Sequence, residues 1–326
     1  MVVKILRLTC LRGLGTVLLG ILVFWFTFTI YNETLDSLEI VENIDESLNH
    51  LEQDDPLLVE AVRERHLIAP STEPYNWGKY GQAPHERKLS GQFNQAKFVE
   101  GMFQVGQNLD NGFFIEAGAW DGVHLSNTLL FELRHNWTGL LVEPNPEAFK
   151  SLKEKQRKAW LLPRCFSTKT RPEVVEFQTA GVFGGIINKG KIKGLYEHSW
   201  EEPEIIKKYS GVQVENRWRT IRIQCFPLYT VLLALGNPTV HYFSLDIEGS
   251  ELQVLKTIPL HKVDIKIFDI EMNHLGETFD GSADDLREYL KTNGYSVFKR
   301  IKIDDIFVKR GFEVKSREDI MSNMAT

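Results

Sequence analysis

The chain has 326 residues, 43% of them hydrophobic, which suffices for one large or two modest cores and excludes a chain that is disordered by default. The formal net charge of -6 and the pI near 5.9 exclude the concentrated basic field that follows a nucleic-acid backbone, so no nucleic-acid partner is expected.

Residues 1–12 carry Lys4, Arg7 and Arg12, and residues 13–32 then run without a charge through Leu18, Leu19, Ile21, Leu22, Val23, Phe24, Trp25, Phe26 and Phe28. A helix needs about 20 apolar residues to cross a bilayer, so 13–32 predicts a transmembrane signal-anchor. The rival is a cleavable signal peptide, whose apolar core is usually shorter and ends at a small-x-small site that does not follow here. Glu33, Asp36 and Glu39 come next, so the basic flank puts 1–12 in the cytosol and the bulk of a single-pass type II protein in the lumen or outside the cell. Sequons at Asn32-Glu33-Thr34 and Asn136-Trp137-Thr138 agree with that compartment. Cys10 falls on the cytosolic side, and Cys165 and Cys225 are either a disulfide or two buried thiols, which geometry decides.

Residues 33–91 read as an acidic stalk and an irregular lead-in. Leu35, Leu38, Val41, Ile44, Leu48 and Leu51 recur at helical spacing, as a loose linker or a short coiled coil. Pro70, Pro74, Gly78, Gly81 and Pro84 break any regular element. The folded domain is expected over 92–326, opening with a helical run at 92–107. Strands are predicted at 113–116, 139–143, 159–166, 241–246, 265–271, 295–300 and 305–308, and helices at 126–135, 146–158, 229–235, 251–257 and 282–293. That alternation specifies a doubly wound α/β fold, mostly parallel, with an antiparallel strand at the sheet edge because the last two strands are too close for a crossover. Residues 181–219, glycine- and lysine-rich with Trp200 and Trp218, form an insertion or lid.

Ligands of such folds bind beyond the carboxyl ends of the strands. The first strand ends in Glu116-Ala117-Gly118-Ala119-Trp120-Asp121-Gly122, where a carboxylate precedes glycines four apart. A dinucleotide turn needs G-x-G-x-x-G to approach a pyrophosphate, so this acidic turn suits the cationic, phosphate-free S-adenosylmethionine instead. Glu116, Gly118, Asp121, Gly122 and Glu143 are the candidate cofactor residues. Glu143, closing the second strand in Val142-Glu143-Pro144-Asn145-Pro146, is placed for the ribose hydroxyls; the bland alternative is a loop or cap residue. Asp246 and Glu248, two apart after an apolar strand, face one way if the strand continues, and with His274 they are the candidate catalytic groups. Glu248 and Glu251 also suit the first turn of the next helix. No metal ligands are assigned.

The segments at 114–122, 141–146 and 244–251, the last a D-x-E-G-x-E pattern in Asp246, Glu248, Gly249 and Glu251, resemble the FkbM-type methyltransferase family over roughly 113–309. The resemblance implies a Rossmann-like class I S-adenosylmethionine-dependent methyltransferase fold. Leu125-Ser126-Asn127-Thr128-Leu129, 137–143 and Gln224-Cys225-Phe226-Pro227-Leu228 resemble the animal branch typified by the insect membrane protein Star. That branch implies a type II protein of the endoplasmic reticulum, Golgi, late endosome or plasma membrane that helps membrane-bound protein cargo travel. Two functions follow: O-methyl transfer to a small-molecule or glycan acceptor, or non-catalytic cargo binding. Retention of the glycine turn and Glu143 predicts cofactor binding under either.

Overall fold

The computed structural model describes residues 44–82, 84, 89–103, 110–179, 184–188 and 219–324. The expected cytosolic tail, the segment 13–32, the start of the stalk and most of the insertion, 189–218, lie outside them. Among the described residues no helix is long and apolar enough to cross a membrane.

The folded body begins earlier than the sequence predicts. A 3-10 turn, Glu46–Leu48, leads to α1, Pro56–Arg65, which Asp55 caps and Pro56 opens. Leu48, Leu58, Ala61 and Val62 are buried in the main core, so from Asp45 onward the expected loose linker is part of the domain. Then come α2 (Gln95–Met102), β1 (Phe113–Ala117), α3 (Leu129–His135), β2 (Thr138–Val142), α4 (Pro146–Glu154) and β3 (Trp160–Leu162). Four further strands follow: β4 (Cys165–Phe166), β5 (Glu173–Thr179), β6 (Gly185–Ile186) and β7 (Arg219–Phe226). The chain ends with α5 (Leu228–Ala234), β8 (Val240–Leu245), α6 (Glu251–Thr257), β9 (Ile265–Glu271), α7 (Ala283–Thr292), β10 (Tyr295–Ile301), β11 (Asp304–Lys309) and α8 (Arg317–Met324).

The main sheet has the order β3-β2-β1-β8-β9-β11-β10. Its first five members pair in parallel, and β11 is antiparallel to both β9 and β10. This is the Rossmann-like methyltransferase fold. As expected, the last two strands pair antiparallel at the sheet edge; the strand antiparallel to the parallel set is β11, one place in, with β10 outermost. The turn after Ile301, with Lys302 at φ +58°, returns the chain directly into the slot beside β9. Chain order reverses between β1 and β8, which pair from Phe114↔Tyr242 to Ala117↔Leu245, and a crevice opens beyond such a reversal.

The predicted strand at 159–166 is broken at Pro163-Arg164, since proline cannot donate to a ladder, and its end leaves for a second sheet. That sheet runs β4-β7-β5-β6 and takes up both described ends of the predicted insertion, 184–188 and 219. A disulfide joins Cys165 to Cys225, partners in register on β4 and β7.

Candidate functional site

Gly118 follows β1 at φ +86°, and a β-carbon there would lie 2.2 Å from the carbonyl oxygen of Asp246. Only glycine lets the ends of β1 and β8 come this close, so the first demand on this residue is the neighbouring strand rather than a ligand. The amides of Gly118 and Ala119 both donate to the Val142 carbonyl at 3.1 Å, and the Asp246 amide donates to the Ala117 carbonyl at 3.1 Å. Three strand ends are thereby tied around one bend.

A cleft open to solvent lies above them. Gly118, Trp120, Glu143, Asn145, Asp246 and Glu248 form its main-sheet side. Phe166, Phe177 and Ile186 of the second sheet form the opposite wall. Glu143 Oε2 accepts from the Trp120 amide at 2.7 Å and Oε1 from the Asn145 amide at 2.8 Å. Burial pushes its carboxyl up to about 8, helped by the charge of Asp246 and opposed by those two amides.

Glu116 and Asp121 are placed differently from the cofactor role the sequence assigns them. Glu116 accepts from the Ser126 hydroxyl at 2.8 Å, the Thr128 hydroxyl at 2.5 Å and the Asn127 amide at 2.7 Å. Burial raises its pKa against those donors and the nearby Arg157, which is itself paired with Glu132 at 2.8 Å. Asp121 accepts from the amides of Val123 and His124 and from the Tyr80 hydroxyl, at 3.0, 2.7 and 2.8 Å. Burial alone would raise Asp121, but these bonds and Lys79 hold it below the usual carboxylate range. A β-carbon on Gly122, at φ +73°, would meet Leu152 of α4 at 2.4 Å. These three residues brace the turn from behind, and the cleft wall does not include them.

On the other side β8 stops at Leu245 and α6 starts at Glu251. The strand does not continue through Asp246 and Glu248, as the same-face expectation requires. A left-handed turn, Glu248 at φ +57° and Gly249 at φ +98°, brings both carboxylates to the cleft instead. Such a conformation costs a non-glycine residue about 1–2 kcal/mol. A β-carbon on Gly249 would lie 2.8 Å from the His274 carbonyl, so this turn also abuts the segment after β9. Glu251 Oε1 accepts from the amides of Ile247 and Gly249 at 3.0 and 3.1 Å, while burial pushes its carboxyl up to about 7.

Burial raises both Asp246 and Glu271 at the end of β9, and the charge of Asp246 raises Glu271 further. Their mutual hydrogen bond and the nearby His274 oppose the rise at Asp246, whereas the same bond adds to the rise at Glu271. Burial, then the charges of Asp246, Glu251 and Glu277, push Glu248 well above the carboxylate range. His274 places Nδ1 3.0 Å from Glu277 and Nε2 3.4 Å from Glu248 Oε2, and it stands behind Glu248 rather than on the wall. Asp269 lies deeper, accepting from the Tyr242 hydroxyl at 2.7 Å.

The Methyltransferase FkbM domain model matches residues 116–297, more than half of the chain. The chain belongs to the FkbM methyltransferase domain family. No curated protein matches it. Among solved structures, a methyltransferase FkbM from Methylobacillus flagellatus KT is 13% identical with a TM-score of 0.35, covering 61% of this chain. The present chain spans 44% of that protein's length. A fibrillarin/Nop5p complex is 12% identical, with a TM-score of 0.35 and coverage of 74% of this chain and 92% of that one. The delta-N METTL16 MTase domain is 13% identical, with a TM-score of 0.34 and coverage of 81% and 94%. Family membership rests on the matched segment.

The FkbM domain thus gathers Gly118, Glu143, Asp246 and Glu248 at one cleft and keeps Glu116, Asp121, Gly122 and His274 one layer out. The wall residues Phe166, Phe177 and Ile186 escape the sequence reading. Their signal was the alternation of Ile221, Ile223 and Cys225 in β7 and the β-branched pair Val174-Val175 in β5, which announce a sheet where a lid is predicted.

Proposed function

We propose that the FkbM domain transfers a methyl group from S-adenosylmethionine to an acceptor oxygen, in a membrane-anchored chain whose domain faces the lumen. The observation that carries this reading is the meeting of Glu143 and Asp246 across Gly118, at the point where strand order reverses. When bound, the cofactor supplies an electrophilic methyl group on a cationic sulfonium. The residues present fit it: Gly118, Glu143 and Asp246 line one open cleft at the carboxyl ends of β1, β2 and β8, where ligands of such sheets bind. Each Glu143 oxygen spends one lone pair on a backbone amide and keeps another for a ribose hydroxyl. The acidic rim favours a positively charged ligand.

Asp246, hydrogen-bonded to Glu271 and lining the cleft, takes the proton of the acceptor hydroxyl, and Glu248 beside it orients that hydroxyl. Phe166, Phe177 and Ile186 exclude water from the far side. The Cys165–Cys225 disulfide supports an oxidising compartment, and the sequon residue Asn136 is exposed at the end of α3. Calorimetry and thermal shift on the full-length protein test the reading, with S-adenosylmethionine and its demethylated product, S-adenosylhomocysteine, as probes. One molecule should bind per chain, and Glu143→Ala should weaken it by about ten- to a hundredfold, the loss of two hydrogen bonds to the ribose at about 0.5–1.5 kcal/mol each. Absence of heat and of any shift with both ligands would refute donor binding and leave the fold to hold membrane cargo.

A further inference from the structure

We infer that Glu248, Glu271 and His274 form a binding site for a single first-row divalent cation, of the zinc or manganese type, at the back of the cleft. One ligand atom from each residue lies within 4.8 Å of the other two. Three donors around one ion at about 2.0–2.2 Å stand roughly 3–3.5 Å apart, so side-chain shifts of about 1 Å close the set.

Proximity of acids alone would not make a site. The second observation is that one oxygen of each carboxylate makes no hydrogen bond. Glu271 is 7% exposed and the Glu248 side chain 9%, yet Oε2 of each has no hydrogen-bond partner among the described residues. The orphan Oε2 of Glu248 is the atom that faces His274 Nε2 at 3.4 Å, out of line for a hydrogen bond. Buried carboxylate oxygens that no donor reaches are rare, and each asks for an ion, a water or a ligand. No described lysine or arginine forms an ion pair with Asp246, Glu248, Glu251 or Glu271, so nothing on the described chain neutralises this corner except His274.

The donor set decides the class of ion. Calcium and magnesium prefer all-oxygen shells, whereas two carboxylates with one imidazole suit zinc, manganese or iron(II). The His274 Nδ1 contact with Glu277 at 3.0 Å is the outer bond that fixes the ring and turns Nε2 toward the ion. Because Glu248 belongs to both the cluster and the cleft wall, the cation reaches whatever occupies the cleft; only this last consequence, an acceptor hydroxyl held at the metal, rests on the proposed methyl transfer.

The probe is Zn²⁺, titrated by calorimetry into chelator-treated full-length protein, with and without saturating S-adenosylhomocysteine. One ion per chain is expected in both conditions, with affinity reduced about tenfold or more in His274→Ala and in Glu271→Gln. Both variants should melt no lower than the wild type without metal, which separates lost ligation from misfolding. Absence of one-to-one binding, or affinity unchanged in both variants, overturns the inference. Release of the ion by S-adenosylhomocysteine overturns it too, since the cluster would then serve the ammonium group of the cofactor. Binding of S-adenosylhomocysteine without zinc binding defeats the metal site alone, and zinc binding without S-adenosylhomocysteine binding defeats the donor reading alone.

Discussion

The two rims of the cleft use the same residue types to opposite effect. On the β1–β2 side, Glu116, Asp121 and Glu143 are buried acids whose oxygens take amides, hydroxyls or a nearby cation. On the β8–β9 side, Glu251 and Glu271 are buried and the Glu248 side chain is 9% exposed, yet among the described residues Oε2 of each has no hydrogen-bond partner. A fully bonded acid holds a fold together, while an under-bonded one stores unfavourable energy that persists where something else is bound. Glu143, bonded through both oxygens and yet lining the cleft, belongs to scaffold and site at once.

Mutations should therefore differ in sign between the rims. The largest effect is expected behind the first: Glu132→Ala leaves the 1%-exposed Arg157 without its direct partner, which costs about 3–5 kcal/mol and lowers the melting temperature by roughly 6–15 °C. Next comes Gly118→Ala, whose β-carbon must displace the Asp246 carbonyl; about 2–4 kcal/mol should be lost in denaturant unfolding. Across the cleft, Asp246→Asn should leave melting unchanged or raise stability by up to about 2 kcal/mol, because it removes a charge from an uncompensated cluster. A large drop in the Asp246 variant would erase the distinction between the rims.

The smallest effect concerns pH. The Glu251 carboxyl lies near 7 in the fold and near 4.5 when unfolded, so between these values the folded chain holds a proton that the unfolded chain has released. Stability should fall as pH rises from about 4.5 to 7. Glu251→Gln keeps an oxygen for the two amides and puts an amide nitrogen where the orphan oxygen stood, so its melting temperature should vary less across that interval. Equal slopes for the two proteins would remove Glu251 from the account.

The sequence disclosed the central strands because each is a short apolar run ended by an acid or a glycine, and such runs are buried wherever a parallel sheet is covered on both faces. Helix α6 was legible to the residue, and α7 to within one residue at each end, where Ser282 is the N-cap of a capping box with Asp285. Hidden from it was the division of labour among the acids. Glu116 and Glu143 each precede a loop after an apolar strand, and only the fold shows one turned toward Ser126 and Thr128 and the other toward the cleft. The left-handed turn at Glu248 was equally hidden, since nothing in a glutamate's neighbours marks a positive φ except the glycine that follows.

The covalent link between β4 and β7 has a consequence for how this molecule responds to cutting. Its sulfurs are 60 residues apart in the chain, a ring whose closure restricts the unfolded state by about 4 kcal/mol. The whole stretch 189–218 lies inside that ring. A protease that nicks the stretch therefore yields two polypeptides that migrate as one on a non-reducing gel and part only when thiol is added. Since Cys165 itself borders the cleft, a nicked chain should keep that wall in place until reduction frees it.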